Sequence, residues 1–198
     1  MKSNWKIKTV GEICEFINGK GHEKIIDENG KYIVVNSKFV SSNGKIYKKS
    51  NSQLLPLFKN DIVLVMSDVP NGKTLAKCFK IDEDNKYTLN QRVCALRTND
   101  LDLDFFLIQI NRNQYFLNFD NGENQTNLRK NDILECPIFI PPIDEQLAIV
   151  SKLNQTFGFI EQSNSILEKN LSNLEELKKS ILEKAFKGEL STAAIEKV

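Results

Sequence analysis

The sequence predicts an α+β chain: a mixed, β-rich globular domain followed by a long C-terminal coiled-coil helix. Three observations carry that reading. Short β-branched and aromatic runs alternate with Asn-Gly turns up to about residue 140; Pro141 and Pro142 then interrupt the chain; from Asp144 onward there is no proline, and apolar residues return every seven positions. The limits follow as a domain over residues 1–142, a helix over 143–190 and a flexible tail over 191–198.

Within the domain, Val10, Ile13 and Cys14 share a face and predict a helix over Thr9–Glu15. Strands are expected at Tyr32–Val35, Ile62–Met66, Ala76–Ile81, Val93–Arg97 and Ile138–Ile140, where β-branched and aromatic residues cluster. Asn29-Gly30, Asn43-Gly44 and Asn71-Gly72 supply residues that tolerate the positive φ of tight turns. The acidic run Asp82 to Asp84 with Asn85 reads as a solvated hairpin turn. Phe106 and Ile110 recur at helical spacing and predict a helix over Leu103–Arg112.

The C-terminal period can be counted. Placing Leu153 at d puts Leu153, Ile160, Leu167, Leu174 and Ile181 at successive d sites, all apolar. The a sites are Val150, Phe157, Asn164, Leu171, Lys178 and Ala185; a lone Asn at a is the kind of polar residue that fixes register in a coiled coil. A helix of about 44 residues is roughly 65 Å long. A domain of about 140 residues has a radius of gyration near 14 Å, so the apolar stripe is expected to project and to need a partner helix. Gly158 and Asn164 are its expected weak or irregular points.

Composition narrows the function. Net charge is +1, from 27 Lys and Arg against 26 Asp and Glu, which excludes a polycation that coats nucleic acid with its whole surface. A nucleic-acid face has to be local, and residues 18–49, with seven Lys, supply the charge for one. The four cysteines are scattered, and the N-terminus lacks the apolar run of a signal peptide. A cytoplasmic protein with no membrane segment is therefore expected. His22 is the single histidine, and no second His or close Cys accompanies it. Asn71 to Thr74 imitates only the end of a phosphate loop, and Ile140-Pro-Pro-Ile143 is not the Asn-Pro-Pro-aromatic motif of a methyltransferase. No catalytic residue, metal site or cofactor site is predicted.

The remaining motifs resemble a family. Gly122-Glu-Asn-Gln-Thr-Asn-Leu128, Asn131-Asp-Ile-Leu134 and Ile138-Phe-Ile-Pro-Pro-Ile-Asp-Glu-Gln146 look like the join between recognition domain and conserved helix in type I restriction-modification DNA specificity subunits. Trp5 to Ile13 with Gly19-Lys-Gly21, Phe58 to Ile62, Leu89 to Val93 and Leu177 to Leu190 resemble further segments of that family, in order. The resemblance implies a non-catalytic subunit that selects the DNA site. S-adenosylmethionine, ATP and Mg would then act on separate modification and restriction subunits. The usual member carries two recognition domains and two antiparallel helices; one of each stands here. The expected partners are therefore double-stranded DNA, the modification and restriction subunits, and a second copy in an antiparallel homodimer or a sister specificity chain. Two-fold symmetry would make the half-sites identical and inverted, with the helix length setting their separation.

Three loops carry the expected DNA contacts. The first holds Lys20, His22 and Lys24, flanked by Gly19 and Gly21, or is simply a mobile turn. The second holds Asn36, Lys38, Lys45, Lys48 and Lys49, or is a solvated charged loop. The third holds Gln125, Asn127, Arg129 and Lys130, or is a turn that serves the fold. Gln91 and Arg92 are added as strand residues that could equally be a polar core-edge pair. Pairing is expected through Val150, Leu153, Phe157, Ile160, Asn164, Leu167, Leu171, Leu174 and Ile181, and the same helix face could dock modification subunits. The competing function is an adaptor with a globular head on a dimerising coiled coil; a third is the detached recognition domain of a single-chain restriction enzyme.

Overall fold

A computed structural model describes residues 4–190. The predicted tail over 191–198 lies outside the described residues. The chain divides into two compact units, residues 1–150 and 151–198.

The first unit is built on a four-stranded antiparallel sheet in the order β2 (Glu15–Asn18), β9 (Val93–Arg97), β5 (Ile62–Val65), β7 (Cys78–Lys80). All four residues of β5 are buried. Side chains alternate across a strand, and both sides are covered here. Ile62, Leu64, Cys94 and Leu96 enter one apolar cluster, whereas Val63, Val65, Val93 and Ala95 enter the other. The uninterrupted apolar run at Ile62–Val65 thus marks a strand between two cores.

The first core is closed by helices. Val10 and Ile13 of α1 (Val10–Ile13) lie in it, with Phe106 and Ile110 of α3 (Leu103–Ile110). Phe116 of α4 (Gln114–Leu117) and Ile133 of α5 (Lys130–Leu134) complete it. The second core lies under a three-stranded sheet, β4 (Lys48–Ser50), β3 (Tyr32–Val35) and β8 (Tyr87–Leu89), and under Phe39 and Val40 of α2 (Ser37–Ser41). In that sheet β3 runs antiparallel to β4 and parallel to β8. Two short ladders finish the unit. β1 (Lys6–Thr9) pairs with β11 (Pro137–Ile140), and β6 (Ser67–Asp68) with β10 (Thr126–Asn127).

Tyr32–Val35 and Val93–Arg97 form strands over the expected residues. Three expectations are corrected. The helix at Thr9–Glu15 is a single turn, because Cys14 is extended and Glu15 already pairs with Arg97. Neither Asn29 nor Gly30 has positive φ, although Asn43, Gly44 and Asn71 do. Gly30 serves a close crossing instead, since a Cβ there would lie 2.5 Å from the Ser50 backbone. The Asp82–Asn85 segment turns with Asn85 at φ 57°, but it joins strands of different sheets and is no hairpin. Its acids bind the fold: Asp82 accepts from the Tyr87 hydroxyl (2.6 Å), and Asp84 from the Lys59 backbone N–H (2.7 Å).

The cysteines are packing groups. All four are free, and burial pushes the Cys14 and Cys136 thiols up to about 12 and raises those of Cys78 and Cys94 as well. Neutral buried thiols are poor nucleophiles.

α6 runs over Ile143–Phe186, starting directly after Pro141-Pro142. Its first two turns belong to the first unit. Gln146, 3% exposed, accepts from the Asp102 N–H (2.9 Å) and donates to the Pro141 carbonyl (2.9 Å), while Trp5 donates to Glu145 (3.1 Å). The strand ends at Ile140, and the carbonyls beyond it are satisfied by the helix start: Pro141 by the Gln146 side chain and Pro142 by the Glu145 and Gln146 N–H groups.

In the second unit, every residue from Glu161 to Leu190 is exposed. The predicted stripe is uncovered from Phe157 on: Phe157, Ile160, Leu167, Leu171, Leu174 and Ile181 are between 45% and 64% exposed. Its first two residues are corrected, since Val150 is 9% exposed and belongs to the first unit and Leu153 is half-buried. No helix among the described residues is long and apolar enough to cross a membrane.

Candidate nucleic-acid interface

Parallel pairing of β3 with β8 places the C-terminal ends of both strands, Val35 and Leu89, side by side. The loops that follow are thereby brought together. The Asn90 N–H donates to the Val35 carbonyl (3.1 Å), and the Lys20 N–H to the Leu89 carbonyl (3.0 Å). Lys20 also forms an isolated parallel bridge with Asn90. Three segments distant in sequence, around residues 20–23, 36–38 and 90–92, thus converge on Asn90.

Between them lies an open cleft of about 530 Å³. Its walls carry His22 and Glu23 from the first segment, Asn36, Ser37 and Lys38 from the second, and Asn90, Gln91 and Arg92 from the third. Lys48 of β4 closes one side. Three cations, Lys38, Lys48 and Arg92, face one carboxylate, Glu23. All four side chains belong to exposed residues. Such a rim suits phosphate, and the amides among the lining suit base edges. The one buried side-chain oxygen or nitrogen left without a partner among the described residues, Ser37 Oγ, belongs to this wall. A buried polar atom without a partner is uncommon, and a bound group or water ordinarily explains it.

The predicted residues separate accordingly. Asn36, Lys38, Lys48, Gln91 and Arg92 line the cleft. Asn36 Oδ1 is also committed to capping α2, accepting from the Phe39 N–H (2.9 Å). His22 is corrected: it lines the cleft wall but is 1% exposed and locked. Its Nδ1 lies 2.7 Å from the Lys20 carbonyl and its Nε2 2.8 Å from Thr88 Oγ1. It is an anchor, not an exposed loop contact. Lys20 and Lys24 are exposed beside this anchor and do not line the cleft.

Lys49 and Lys48 line an adjoining cavity of about 410 Å³ with Tyr47 and Glu28, and Lys45 borders a separate one near Tyr87. Gln125, Asn127, Arg129 and Lys130 are exposed and lie outside the cleft lining. Gln125 Nε2 donates to Asn127 Oδ1 (3.2 Å), the Arg129 N–H donates to Asp132 (2.7 Å), and Lys130 sits over the Phe16 ring. Their strand is still a neighbour, because the Leu128 N–H donates to the Met66 carbonyl and the Met66 N–H to the Arg92 carbonyl.

Sequence reasoning placed Glu23 inside its first loop, His22 to Lys24, without singling it out, and missed Asn90 as a contact. A lone carboxylate among lysines carries no pattern, and Asn90 matters only through its three-way backbone position. The Gln91 amide, and then Glu23's own backbone N–H, hold the Glu23 carboxyl below the ordinary carboxylate range, so it is ionised at neutral pH.

Gly19 ties the first segment to the third. A Cβ there would lie 2.0 Å from the Asn90 carbonyl oxygen and 2.3 Å from its carbon, a collision with backbone that no rotamer relieves. Gly19→Ala is expected to cost about 2 kcal/mol and lower the melting temperature by several degrees. Thermal unfolding checks this, and an unchanged melting temperature would contradict the close approach.

The class of chain so defined is an α+β domain whose parallel strand ends gather cations and amides around one cleft, continued by a long helix with exposed apolar residues. The sequence profile of the type I restriction modification DNA specificity domain matches residues 2–180, and the chain belongs to that family. A 74-residue stretch is 36% identical to the EcoDI type I restriction enzyme specificity subunit of Escherichia coli, covering 36% of this chain and 17% of that one.

Among solved structures, a chain from work on complex assembly and conformational transition of the type I R-M system superposes with a TM-score of 0.79 at 18% identity. That match covers 96% of this chain and 47% of that one. The HsdS subunit of Thermoanaerobacter tengcongensis superposes at 0.62 with 21% identity, over 96% of this chain and 46% of that one. The S subunit from M. genitalium gives 0.57 and 21%, over 94% and 47%. The chain therefore spans about half the length of these solved relatives.

Proposed function

We propose that the chain is the DNA-reading part of a type I restriction-modification complex, binding one half of a bipartite site through the cleft at Asn90 and pairing through α6 with a second copy. The observation that carries this is the convergence of Lys38, Lys48, Gln91 and Arg92 on one cleft, in a chain whose family is defined by DNA specificity. The cations bind the phosphate backbone and make affinity salt-dependent, while the amides address base edges. In this reading methyl transfer from S-adenosylmethionine and ATP- and Mg-dependent cleavage belong to the modification and restriction subunits, and the chain itself only targets them. Free cysteines without disulfides agree with work in the cytoplasm.

Pairing rests on the uncovered d residues Ile160, Leu167, Leu174 and Ile181, all at least 47% exposed, with the half-buried Leu153 at the start of the seam. In an antiparallel homodimer the two clefts are related by a two-fold axis, so the half-sites are identical and inverted. A sister specificity chain on the same stripe would make them differ. No observation favours the adaptor reading over this one.

Selection of random duplexes by the chain together with its modification subunit tests the function. A split, inverted motif is expected. Absence of any enriched sequence, with binding that depends only on salt, would overturn it.

A further inference from the structure

Glu23 is out of place in a cleft that otherwise suits phosphate. A carboxylate beside phosphodiesters is repelled, so Glu23, which lines the cleft with Lys38, Lys48 and Arg92, suits a group that donates hydrogen bonds rather than a phosphate. In the major groove the donors are the exocyclic amino groups of cytosine and adenine, at N4 and N6. The guanine O6 and N7 and the thymine O4 are acceptors.

Two tethers position Glu23, and a glycine leaves it room. It opens a single 3-10 turn, Glu23–Ile25, directly after the buried His22, whose ring is tied to the Lys20 carbonyl and to Thr88 of β8. Gln91 Nε2 donates to Glu23 Oε1, across 68 residues of sequence. Gly21 supplies the clearance, since a Cβ there would lie only 3.0 Å from Glu23 Oε2. Both residues line the cleft, and with one amide hydrogen given to Glu23 the pair keeps carboxylate Oε2 and Gln91 Oε1 as acceptors beside the second Gln91 N–H.

We propose that Glu23, positioned by Gln91, is a specificity-determining residue that selects a base bearing an exocyclic amino group in the major groove, cytosine or adenine, at one position of each half-site. The inference rests on the DNA-reading function above. It works by rejection as much as by attraction, because guanine and thymine would set an acceptor against the carboxylate.

The test is random-duplex selection by the full chain with its modification subunit, comparing wild type with Glu23→Gln and Gln91→Ala. Wild type is expected to show cytosine or adenine at the affected position, and the base found names the amino group. Glu23→Gln keeps the shape and a partner for Gln91, and is expected to lower discrimination at that one position roughly 5- to 150-fold while other positions hold. Gln91→Ala is expected to blur the same position, and less. Unchanged base frequencies in both variants, or a uniform gain in affinity without any change of motif, would overturn the proposal. A wild-type chain that enriches no motif would instead overturn the DNA-reading function itself. Thermal unfolding of each variant separates a lost contact from a lost fold; should Glu23→Gln fail to fold, the position blurred by Gln91→Ala decides.

Discussion

Replacing both Leu167 and Leu174 with Asp is expected to abolish pairing at micromolar concentration while the first unit still unfolds cooperatively at its wild-type temperature. The two residues occupy consecutive d sites and are 64% and 61% exposed. Covering the exposed part of one Leu contributes about 1.5–2 kcal/mol, and a symmetric dimer loses four such side chains, or about 6–8 kcal/mol. That is a weakening of roughly 10⁴- to 10⁶-fold before the cost of placing four carboxylates at the seam.

Sedimentation of wild type and variant checks the expectation. A wild-type chain that is monomeric at micromolar concentration, alone and with a sister chain, would refute pairing. A variant that still dimerises would move the interface off this stripe. Both residues belong to the second unit, so the melting of the first unit is expected not to change.

Arg97→Ala is expected to lower the melting temperature by about 10 °C, the largest loss from a single polar contact in the first unit. Asp61 is 1% exposed and sits just before β5. Its carboxylate accepts from Arg97 Nε (2.8 Å) and Nη2 (3.0 Å) and from the Phe58 N–H (2.9 Å). Arg97, at the end of β9, also pairs with Glu15 (3.2 Å) and lies 5.0 Å over the Phe58 ring. It therefore joins β2, β9 and the entry to β5.

Removing the guanidinium leaves a buried charge with one N–H donor among these contacts, a loss of about 3–5 kcal/mol, and about 2–4 °C per kcal/mol applies to a chain of this size. Asp61→Ala should cost less, because Arg97 is partly exposed and can return to water. The double variant should be milder than the sum of the two, since both singles break one contact. Melting curves of the three variants decide, and strictly additive losses would show that the pair is not coupled.

What could be read ahead of the structure was whatever depends on neighbours in sequence. Val93–Arg97 is a strand because its residues suit a pleated, buried surface, and α6 begins at Ile143 because Pro141 and Pro142 stop everything before it. The misjudged helix at Thr9–Glu15 shows the limit. Its apolar spacing was helical, but pairing of Glu15 with Arg97, 82 residues away, claimed the chain after one turn.

The site shows the same division more sharply. Lys38, Lys48, Gln91 and Arg92 could be named as polar candidates from residue type, yet nothing local distinguishes them from Lys24, Lys45 or Arg129, which lie elsewhere. His22 looked like an exposed loop residue because its neighbours are Gly, Lys and Glu. It is buried because Thr88, 66 residues on, offers its hydroxyl.

By itself, then, the amino-acid sequence determined the two-part organisation, the seven-residue apolar stripe of α6 and the family, since period, proline placement and motif order are properties of the chain read in line. Only the tertiary structure decided which cations share a cleft, that His22 is buried and anchored in its wall, and that Glu23 stands among them. The physical reason is the parallel pairing of β3 with β8: it brings two strand ends and the loop at Lys20 to Asn90 through backbone hydrogen bonds that no local pattern encodes.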